Sequence, residues 1–308
     1  MIICCGEALI DMLPRQLADG SDVYLPVSGG AVFNTAIALG RLGVDTGFVS
    51  GISSDLFGKQ LIESLEASKV NPNFCVISDY PSTLAFVKLS NGHAEYSFFD
   101  ENSAGRMLSI DQLPELPENV EAMHLGAISL IPEPCGSAYE ALLERGSARS
   151  VISLDPNIRP GFIKDVDGHR ARIKRMIDKS DIVKVSDEDL EWIEPGADIQ
   201  HTFDRWLAGG CSVIVLTKGS KGATLYTKFG SIDVTAVKTE VVDTVGAGDT
   251  FNAGFLFGLK QAGILSKSAL QTASLEQFQK AGQIAAETAA ITVSRAGANP
   301  PWREEIEI

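Results

Sequence analysis

The sequence predicts an α/β protein built on a mainly parallel β-sheet, with a second, small antiparallel sheet. Two observations support this prediction. Short apolar runs typical of buried strands alternate with segments of helical periodicity along most of the 308 residues. Residues 83–99 instead show a two-residue alternation on both sides of Asn91-Gly92, which is the strongest short-range signal for a β-hairpin.

The hairpin interrupts the βα rhythm, so we expect it to belong to an added sheet whose other strands come from residues 12–27. A sheet of this kind is suited to act as a lid that shields a reaction from water. An edge hairpin without such a role, or a dimer surface, explains the pattern equally well.

The elements of the α/β part are predicted from apolar patterns and from cap and stop residues. In the first third we expect a strand at 2–5 that continues through Asp11, a helix from Phe33 to Leu42 with Gly43 as its stop, a strand at 46–50, and a helix capped by Ser54 or Asp55 that runs through Leu65. After the hairpin we expect strands at 122–128, 151–154, 181–185, 213–216 and 224–226, a β-rich run at 232–242, and helices through Tyr139 and Leu143, from the turn before Phe251 to Gly263, and at 278–291.

Composition excludes several classes of protein. With 44% hydrophobic and 21% charged residues, the chain suits one large or two smaller globular domains. The net charge of −14 argues against a nucleic-acid partner. No apolar run is long enough to span a membrane, and the N-terminus lacks the basic region of a secretory signal, so we expect a cytoplasmic protein. The odd number of cysteines, five, fits buried free thiols in a reducing compartment.

The strongest candidate site surrounds the turn Gly246-Ala247-Gly248. A tight turn that opens a helix presents unpaired backbone N–H groups at the positive end of the helix dipole, so it attracts an anion. If that anion is a phosphoryl group, Asp249 in the first helical turn is placed to take a proton from an attacking hydroxyl. An aspartate at a helix start is equally explained as a cap. Phe251 stands where the dinucleotide-binding fingerprint needs a glycine, and no P-loop pattern occurs, so those two phosphate-binding motifs are excluded.

Polar residues near the N-terminus suit a sugar. Asp11, at the end of an apolar run, is placed to accept hydrogen bonds from vicinal hydroxyls, although a turn residue explains it as well. Gly29 and Gly30 let the backbone approach a ligand closely. Asn34, in the first turn of a helix, offers an amide donor and acceptor to hydroxyls, or it bonds locally.

Later strand ends supply further polar residues, at the edge where open α/β sheets bind ligands. Arg159 follows one strand and is a candidate phosphate clamp. Ser186 and Asp189 follow the next strand and form either a capping box or a water-mediated magnesium site. The alanine-rich helix carries one flat face, on which a planar base fits or against which another helix packs. That face consists of Ala281, Gly282, Ala285 and Ala289.

The order and spacing of three motifs resemble both signatures of the ribokinase (pfkB-type) carbohydrate kinase family. The motifs are Gly29-Gly30-x-x-x-Asn34, Gly51-x-x-x-Asp55-x-x-Gly58 and Asp243-Thr244-x-Gly246-Ala247-Gly248-Asp249. The resemblance covers nearly the whole chain and implies a ribokinase-like, three-layer α/β/α sandwich with a small β-sheet lid. The implied division is a core of residues 1–10, 28–83 and 106–308, and a lid of residues 11–27 and 84–105.

The resemblance also implies site roles. Asp249 is the general base, and the amides of Gly246, Ala247 and Gly248 form the anion hole, with Arg159 beside them. The implied sugar-binding residues are Asp11, Gly29, Gly30, Asn34, Phe98 and Asn157. The implied nucleotide-binding residues are Lys184, Ser186, Thr217, Gly219, Gly222, Gly248, Ala281 and Ala285. The residues that match a monovalent-cation site, which holds K⁺ in some members, are Asp243, Val245, Thr292, Arg295 and Gly297.

Two sequence details refine the expectation. The family's metal-associated N-x-x-E motif reads Ser186-x-x-Asp189 here, and we keep Asp189 as a Mg²⁺ residue because its carboxylate reaches the ion through water. Three segments of the sequence, which bear on the subfamily, look most like those of bacterial fructokinases. They are Gly6-Glu7-Ala8-Leu9-Ile10-Asp11, Asn102-Ser103-Ala104 and Asp155-Pro156-Asn157-Ile158-Arg159-Pro160. The rival, 2-keto-3-deoxygluconate kinase, places an arginine where Asp100 stands, and an acid at this position repels a sugar acid.

The expected reaction is therefore transfer of the γ-phosphoryl group of ATP to the primary hydroxyl of a ketohexose, converting D-fructose to D-fructose 6-phosphate. Mg²⁺ and Arg159 are expected to offset charge, and the helix N-terminus to keep Asp249 ionised. The alternatives are a 2-keto-3-deoxygluconate kinase, a ribokinase, a nucleoside kinase and a non-catalytic sugar sensor. A homodimer formed through the lid is common among similar enzymes.

Overall fold

The structure, a computed structural model, describes residues 1–90 and 93–307. Its strands are β1 (Ile2–Cys5), β2 (Leu9–Gln16), β3 (Asp22–Gly29), β4 (Thr46–Val49), β5 (Gly51–Ser53), β6 (Val70–Asn71), β7 (Val76–Ser78), β8 (Leu84–Ser90), β9 (His93–Phe99), β10 (Ala122–Gly126), β11 (Val151–Asp155), β12 (Ile182–Ser186), β13 (Val213–Thr217), β14 (Ala223–Thr227) and β15 (Gly230–Val234). Its α-helices are α1 (Ala31–Arg41), α2 (Leu56–Ala67), α3 (Cys135–Gly146), α4 (Val166–Ile177), α5 (Asp187–Ile193), α6 (Ile199–Ala208), α7 (Ala247–Gln261), α8 (Lys267–Thr272) and α9 (Leu275–Val293).

The central sheet has nine strands in the order β15-β14-β13-β12-β11-β10-β1-β4-β6. The pairs from β13 to β6 are parallel, whereas β14 and β15 add an antiparallel edge. The inner strands are apolar on both faces because helices cover both sides of a parallel sheet. This arrangement confirms the predicted α/β class.

Two hydrophobic cores lie on opposite faces of the sheet. Successive residues of β1 point to opposite faces, so Ile2 and Cys4 belong to one core, while Ile3 and Cys5 belong to the other. The first core contains buried residues of α1, α2, α7, α8 and α9, and the second contains buried residues of α3, α4, α5 and α6. The two helical layers on one sheet confirm the three-layer α/β/α sandwich.

The second sheet has the strand order β3-β2-β8-β9. The strands β8 and β9 form the expected antiparallel hairpin, from Leu84 opposite Phe99 to Ser90 opposite His93. The predicted Asn91-Gly92 turn itself lies outside the described residues. Strand β2 begins at Leu9 and β3 reaches Gly29, so this sheet starts two residues earlier than the boundary at 11 that we expected for the lid.

Two predicted strands differ from the structure. The first strand does not continue through Asp11, because the chain leaves the central sheet at Cys5 and enters the second sheet at Leu9. The β-rich run ends at Val234, and Val241 and Val242 are exposed rather than paired in a sheet. β-propensity describes a residue's fit to a pleated surface, and it does not specify which partner strand is present.

The Gly51…Asp55…Gly58 motif shapes the turn between β5 and α2. Of the two candidate caps, Asp55 is the N-cap: its side chain accepts from the N–H groups of Phe57 at 2.9 Å and Gly58 at 2.8 Å. A Cβ at Gly58 would lie 1.8 Å from the Ser53 carbonyl oxygen, so only glycine fits there. This motif is explained by local packing.

The five cysteines are free thiols, and four of them are buried, as expected. Within the two described ranges, no helix has the length and apolar character needed to cross a membrane.

Candidate active site

The carboxyl ends of the parallel strands lie at one edge of the central sheet, beside the N-termini of α1 and α7. A small pocket at this edge is lined by residues of four different segments. They are Ala31, Val32, Thr35, His124, Ala127, Asp155, Asn157, Asp249 and Asn252. Open α/β sheets bind their ligands at such an edge because side chains from several strand ends converge there.

Asn34 contacts Asp249 directly beside this pocket. The Nδ2 of Asn34 donates to Oδ2 of Asp249 at 2.9 Å, although the two residues are 215 positions apart in the chain. The Thr35 hydroxyl donates to the Asp249 main-chain carbonyl at 3.1 Å, which ties α1 to α7 at the same point. The structure therefore brings a residue expected to bind the sugar to the residue expected to be the base.

Asp249 is only 8% exposed. Burial raises its pKa to about 7, and the charges of Asp155 and Glu7 act in the same direction, while Asn34 and Lys184 oppose the shift. We expected the helix N-terminus to keep Asp249 ionised, but desolvation raises its pKa enough that the carboxyl is only partly ionised at neutral pH. A carboxylate with a pKa near the working pH is well matched to general-base catalysis.

The turn before Asp249 requires glycine at its first position. Gly246 is the N-cap of α7, with φ +78°, and a Cβ there would lie 2.7 Å from Cβ of Ala298. The helix begins at Ala247, whose N–H donates to the Thr244 carbonyl at 3.3 Å, and the Thr250 N–H donates to the Gly246 carbonyl at 2.8 Å. The N–H groups of Gly248 and Asp249 are left for a ligand, as at the start of any helix. Gly248 lies beside the ammonium group of Lys184, since a Cβ on this glycine would be 3.5 Å from Nζ. Backbone donors and a positive charge thus face the same space.

A buried polar network supports this space. The Lys184 ammonium donates to Oδ2 of Asp155 at 2.6 Å, and Asn252 donates to the same oxygen at 2.7 Å. Although burial opposes ionisation, Lys184 and Asn252 hold the pKa of Asp155 below its usual value, and Asp155 raises the pKa of Lys184. Both side chains are therefore charged. The network fixes Lys184 next to the glycine turn.

The residues expected to bind the sugar's other hydroxyls come from the second sheet and its junctions. Burial raises the pKa of Asp11 to about 6. A Cβ at Gly29 would lie 2.4 Å from Oδ2 of Asp11, and a Cβ at Gly30, where φ is +113°, would lie 2.8 Å from the Glu7 carbonyl oxygen. The glycine pair thus makes room for two acidic residues of this chain, in addition to any ligand.

Three other predicted residues have different surroundings. Phe98 packs edge-to-face on Phe162, with ring centroids 4.4 Å apart. Asn157 has φ +40° and lies in the pocket around Asp249. Arg159 is exposed and donates to the Ile158 carbonyl at 3.0 Å, so it is not held against the glycine turn in this structure.

Asp189 forms a cap and not an open metal ligand. Its Oδ2 accepts from the Ser186 N–H at 2.8 Å and hydroxyl at 2.7 Å, and its Oδ1 accepts from the Ile158 N–H at 2.7 Å. Ser186 is the N-cap of α5 and completes the capping box. Of the two interpretations of these residues, the structure favours the cap, because every Asp189 oxygen is already used.

The alanine-rich face of α9 packs against α7. A Cβ at Gly258 would lie 2.7 Å from Cα of Ala281, and a Cβ at Gly254 would lie 2.7 Å from Cα of Ala285. Ala281 and Ala285 are 1% and 0% exposed. The prediction that a nucleotide base rests on these two alanines is wrong, because a close helix–helix contact already covers them.

The donor-rich turn predicted to bind the nucleotide joins β13 to β14. Thr217 donates to the Val185 carbonyl at 3.3 Å, and Gly219 has φ +55°. Gly222 has φ +90°, and a Cβ there would lie 2.0 Å from the Val234 carbonyl oxygen. The turn lies at the same sheet edge as Asp249, one strand beyond Ser186.

The residues expected to surround a monovalent cation come from two adjacent segments. Asp243 accepts from the N–H groups of Val245 at 3.0 Å and Gly297 at 2.9 Å. Thr292 donates to the Thr250 hydroxyl at 3.1 Å, which links this region to α7. The Arg295 guanidinium pairs with Glu305.

Sequence reasoning did not assign four residues that the structure places in or beside the site: Glu7, His124, Asp155 and Asn252. Asp155 begins a polar cluster at a strand end, and Asn252 follows Asp249 by three positions on the same helix, so both signals were present in the sequence. Glu7 accepts from the N–H of Ala31 at 2.9 Å and of Ser129 at 3.3 Å. A contact between two distant segments has no sequence signature.

Comparisons with known proteins agree with this geometry. A curated protein named "Fructokinase" from Rhizobium leguminosarum bv. trifolii is 56% identical over 277 residues, which cover 90% of this chain and 84% of the relative. "Fructokinase-2" from Oryza sativa subsp. japonica is 34% identical, over 83% of this chain and 79% of the relative. A crystal structure of fructokinase with bound ATP from Xylella fastidiosa has a TM-score of 0.90 and 27% identity, covering 96% of this chain and 93% of that one.

A sequence profile described as the pfkB family carbohydrate kinase matches residues 1–305. This match spans both sheets, the Gly29-Gly30 pair, and the turn that precedes Asp249. Together with the identity to curated relatives, it establishes what the sequence motifs and the converging pocket had indicated. The chain belongs to the pfkB family of carbohydrate kinases.

Proposed function

We propose that this carbohydrate kinase transfers the γ-phosphoryl group of ATP to the primary 6-hydroxyl of D-fructose and releases D-fructose 6-phosphate and ADP. The observation that carries the proposal is the 2.9 Å contact between Asn34 and Asp249 beside the glycine turn. It joins a hydroxyl-binding amide, a base and a set of anion-binding N–H groups. The 56% identity to a bacterial fructokinase supports fructose as the acceptor.

In this reaction the 6-oxygen bonds to the γ-phosphorus while the bond from phosphorus to the β,γ-bridging oxygen breaks. The hydroxyl proton passes to Asp249, whose pKa of about 7 allows it to accept the proton near neutrality. The transition state of phosphoryl transfer is loose, so positioning and charge stabilisation matter more than base strength. The N–H groups at the start of α7 and the Lys184 ammonium supply that stabilisation.

A neutral ketose suits the lid side of the site better than a sugar acid. Asp100, at the end of β9, accepts from the Thr83 hydroxyl at 3.0 Å and from the Ser103 hydroxyl at 2.8 Å, which fixes its carboxylate in place. A fixed negative charge repels the carboxylate of 2-keto-3-deoxygluconate. This contact therefore favours fructose over that rival.

Two ions belong to the proposal. Within residues 1–90 and 93–307, no three His, Cys, Asp or Glu side chains are grouped closely enough to hold a metal ion, and Asp189 is occupied as a cap. The residues present thus do not form a protein site for Mg²⁺, which in our proposal enters with ATP on its phosphate oxygens and water. For K⁺ we propose the segments around Asp243 and Gly297, whose carboxylate and carbonyl oxygens are hard ligands.

The outer surface of the second sheet suits a homodimer. Tyr24 is 49% exposed and Phe99 is 62% exposed, and both rings pack on Phe86, with centroid distances of 5.0 and 5.4 Å. An exposed aromatic group of this kind is typical of an interface. We propose a lid-mediated homodimer, which sedimentation velocity would test, and a cytoplasmic location, which fits the free thiols.

The function is tested by ADP release with fructose, tagatose, ribose, 2-keto-3-deoxygluconate and adenosine, each with and without K⁺. We expect the highest kcat/KM with fructose and stimulation by K⁺. A higher kcat/KM with any other acceptor would contradict the substrate assignment. Calorimetric binding of fructose without ADP release would instead indicate a sensor.

A further inference from the structure

Lys184, on β12, is a buried cation that lies among several carboxylates. It is 7% exposed. Burial opposes its ionisation, but the charges of three aspartates raise its pKa above the usual value; they are Asp155, Asp189 and Asp249. Within the described ranges, its one ion pair is with Asp155, at 2.6 Å. The ammonium group is therefore placed where more than one carboxylate attracts it.

The same ammonium group lies beside the groups that carry the proposed reaction. A Cβ at Gly248 would be 3.5 Å from Nζ of Lys184, and Gly248 directly precedes Asp249 in the first turn of α7. A lysine side chain has a flexible four-carbon stem. From this position the ammonium group can contact either a phosphoryl group bound at the glycine turn or the carboxylate of the base.

Asp155 binds this ammonium group with a carboxylate that is itself fixed in place. Its Oδ2 accepts from Lys184 at 2.6 Å and from Asn252 at 2.7 Å, and its Oδ1 accepts from the Asn157 N–H at 3.2 Å. The donors come from β12, from α7 and from the segment after β11, and Asp155 is 3% exposed. A buried carboxylate with three donors keeps its charge, since hydrogen bonds to the ionised form stabilise it.

Asp249 is held less strongly in its ionised form. In the described chain its carboxylate accepts one hydrogen bond, from Asn34. Burial raises its pKa to about 7, the charges of Asp155 and Glu7 act in the same direction, and the charge of Lys184 acts in the opposite one. An ion pair with Lys184 would therefore change the ionisation of the base.

We propose that Asp155 is a positioning residue of the phosphoryl transfer, which holds the Lys184 ammonium group beside the phosphate-binding N–H groups of the glycine turn and keeps it from pairing with Asp249. The inference rests on the proposed function and adds to it a residue that acts through Lys184. The chemistry is unchanged: the 6-oxygen bonds to the γ-phosphorus, ADP leaves, and the proton passes to Asp249. Asp155 stays ionised and Lys184 stays protonated throughout.

Without the Asp155 charge, the ammonium group would turn to the base. A buried cation without a partner is costly, and Asp249 lies at the same turn. Asp189 is less available, because its oxygens already accept three hydrogen bonds. His124, which lines the pocket, is neutral at pH 7, because burial lowers its pKa to about 4. A pair between Lys184 and Asp249 would lower the pKa of the base and withdraw the ammonium group from the phosphoryl group.

The test removes the Asp155 charge and follows the pH dependence of kcat/KM for fructose. D155N keeps the size of the side chain and one acceptor oxygen. We expect the rising limb of the profile to move to lower pH by about one to three units, the usual effect of an opposite charge next to a carboxyl. The plateau of kcat should fall roughly ten- to a hundredfold, as for the loss of a hydrogen bond to a charged group.

A double-mutant cycle separates this effect from the simple loss of one negative charge. K184M removes the ammonium group, so no cation remains that could turn to Asp249. Adding D155N to K184M should move the rising limb by less than half as much as D155N does alone. Equal displacements in the two backgrounds would show that Asp155 acts only through its own charge, and would overturn the inference. K184M with the kcat of the wild type would overturn it as well, whether or not D155N folds.

Asp181 provides a matched control at the opposite edge of the sheet, where it directly precedes β12. It is 6% exposed, and its Oδ2 accepts from the Lys267 ammonium group at 2.6 Å and from the Ile152 N–H at 2.8 Å. D181N makes the same chemical change in a similarly paired, buried aspartate, and should lower Tm without moving the rising limb.

The outcomes distinguish the inference from the proposed function. A displaced limb in D155N and an unmoved one in D181N support the inference. If the wild type phosphorylates fructose and D155N leaves the limb in place, or D181N displaces it equally, the inference is overturned while the proposed function stands. If the wild type does not phosphorylate fructose, the proposed function fails and the inference fails with it.

Discussion

Two aspartates at helix starts, Asp249 on α7 and Asp189 on α5, look alike in the sequence but differ in the structure. Asp189 comes directly after β12, and Asp249 comes after the irregular segment 235–246, yet their exposed fractions are similar, 5% and 8%. Asp189 accepts three hydrogen bonds, from Ser186 and Ile158, that close its helix cap. Within the described part of the chain, Asp249 accepts one, from Asn34.

The comparison shows that burial alone does not distinguish a structural carboxylate from a reactive one. Three donors compensate Asp189 for the loss of water, whereas Asp249 has one and its pKa rises to about 7. The glycine turn beside Asp249 leaves backbone N–H groups open to a ligand, and Ser186 closes the equivalent position beside Asp189. The number of hydrogen bonds to the carboxylate is therefore the informative quantity.

The largest expected effect separates the two aspartates by turnover. D249N should fold and bind fructose but lose roughly 10²–10⁴-fold in kcat, the usual range for a lost general base. D189A should keep kcat within about tenfold. Its free energy of unfolding should fall by about 1–3 kcal/mol, because two buried N–H groups lose their acceptor. Steady-state kinetics and urea unfolding of both variants check this; similar kcat losses would remove the distinction.

The second effect concerns stability and pH. Because the pKa of Asp249 rises from 3.8 in the unfolded chain to about 7 in the folded protein, this carboxyl stabilises the fold below pH 4 relative to pH 7, and its contribution is lost as pH rises through that window. D249N lacks this loss. Its unfolding free energy relative to wild type should rise between pH 4 and 8 by up to about 4 kcal/mol, at about 1.4 kcal/mol per pKa unit. A difference that is independent of pH would contradict the raised pKa.

The third effect tests the glycine turn against a glycine with a similar backbone elsewhere. Gly246 and Gly263 have φ of +78° and +68°, but only Gly246 is crowded, by Ala298. The free energy of unfolding of G246A should fall by about 1–3 kcal/mol because of strain and crowding together, and its kcat should fall as well. In G263A the free energy of unfolding should fall by about 1 kcal/mol, and kcat should be unchanged. Thermal unfolding and kinetics of the pair check this. An active G246A would show that the turn is not tightly constrained.

The smallest effect comes from the single donor to Asp249. The Asn34 amide lowers the pKa of Asp249, so N34A should raise it and move the rising limb of the kcat/KM profile to higher pH. The expected displacement is about one pH unit, as for the loss of one hydrogen bond to a charged group. A profile that stays in place would mean that Asn34 does not bear on the charge of Asp249.

Much of this architecture follows from local sequence signals. Strand and helix positions were predictable because apolar periodicity and stops such as Gly43 and Gly263 act within a few residues. The turn at Gly246 was predictable because its backbone conformation admits little besides glycine. These features depend on neighbours in the chain.

The features that were not predictable depend on distant partners. Residues 235–242 have strand-like composition but pair with no strand of the described structure, and Ala281 and Ala285 turned out to face α7. The sequence could not decide whether Asp189 is a cap or a metal ligand, because the decisive contact is with a distant residue. Asp189 accepts a hydrogen bond from the N–H of Ile158. Nothing in the local sequence reports such a contact.

The most direct test of the central claim is the pH dependence of kcat/KM for fructose in the wild-type enzyme, which reports the ionisation of the free enzyme's base. We predict that kcat/KM rises with pH, reaches half of its plateau near pH 7, and stays level above pH 8, since a buried Asp249 must lose its proton before it can act. A profile that is flat from pH 5.5 to 8.5 would contradict the claim that this carboxylate, with its raised pKa, is the base.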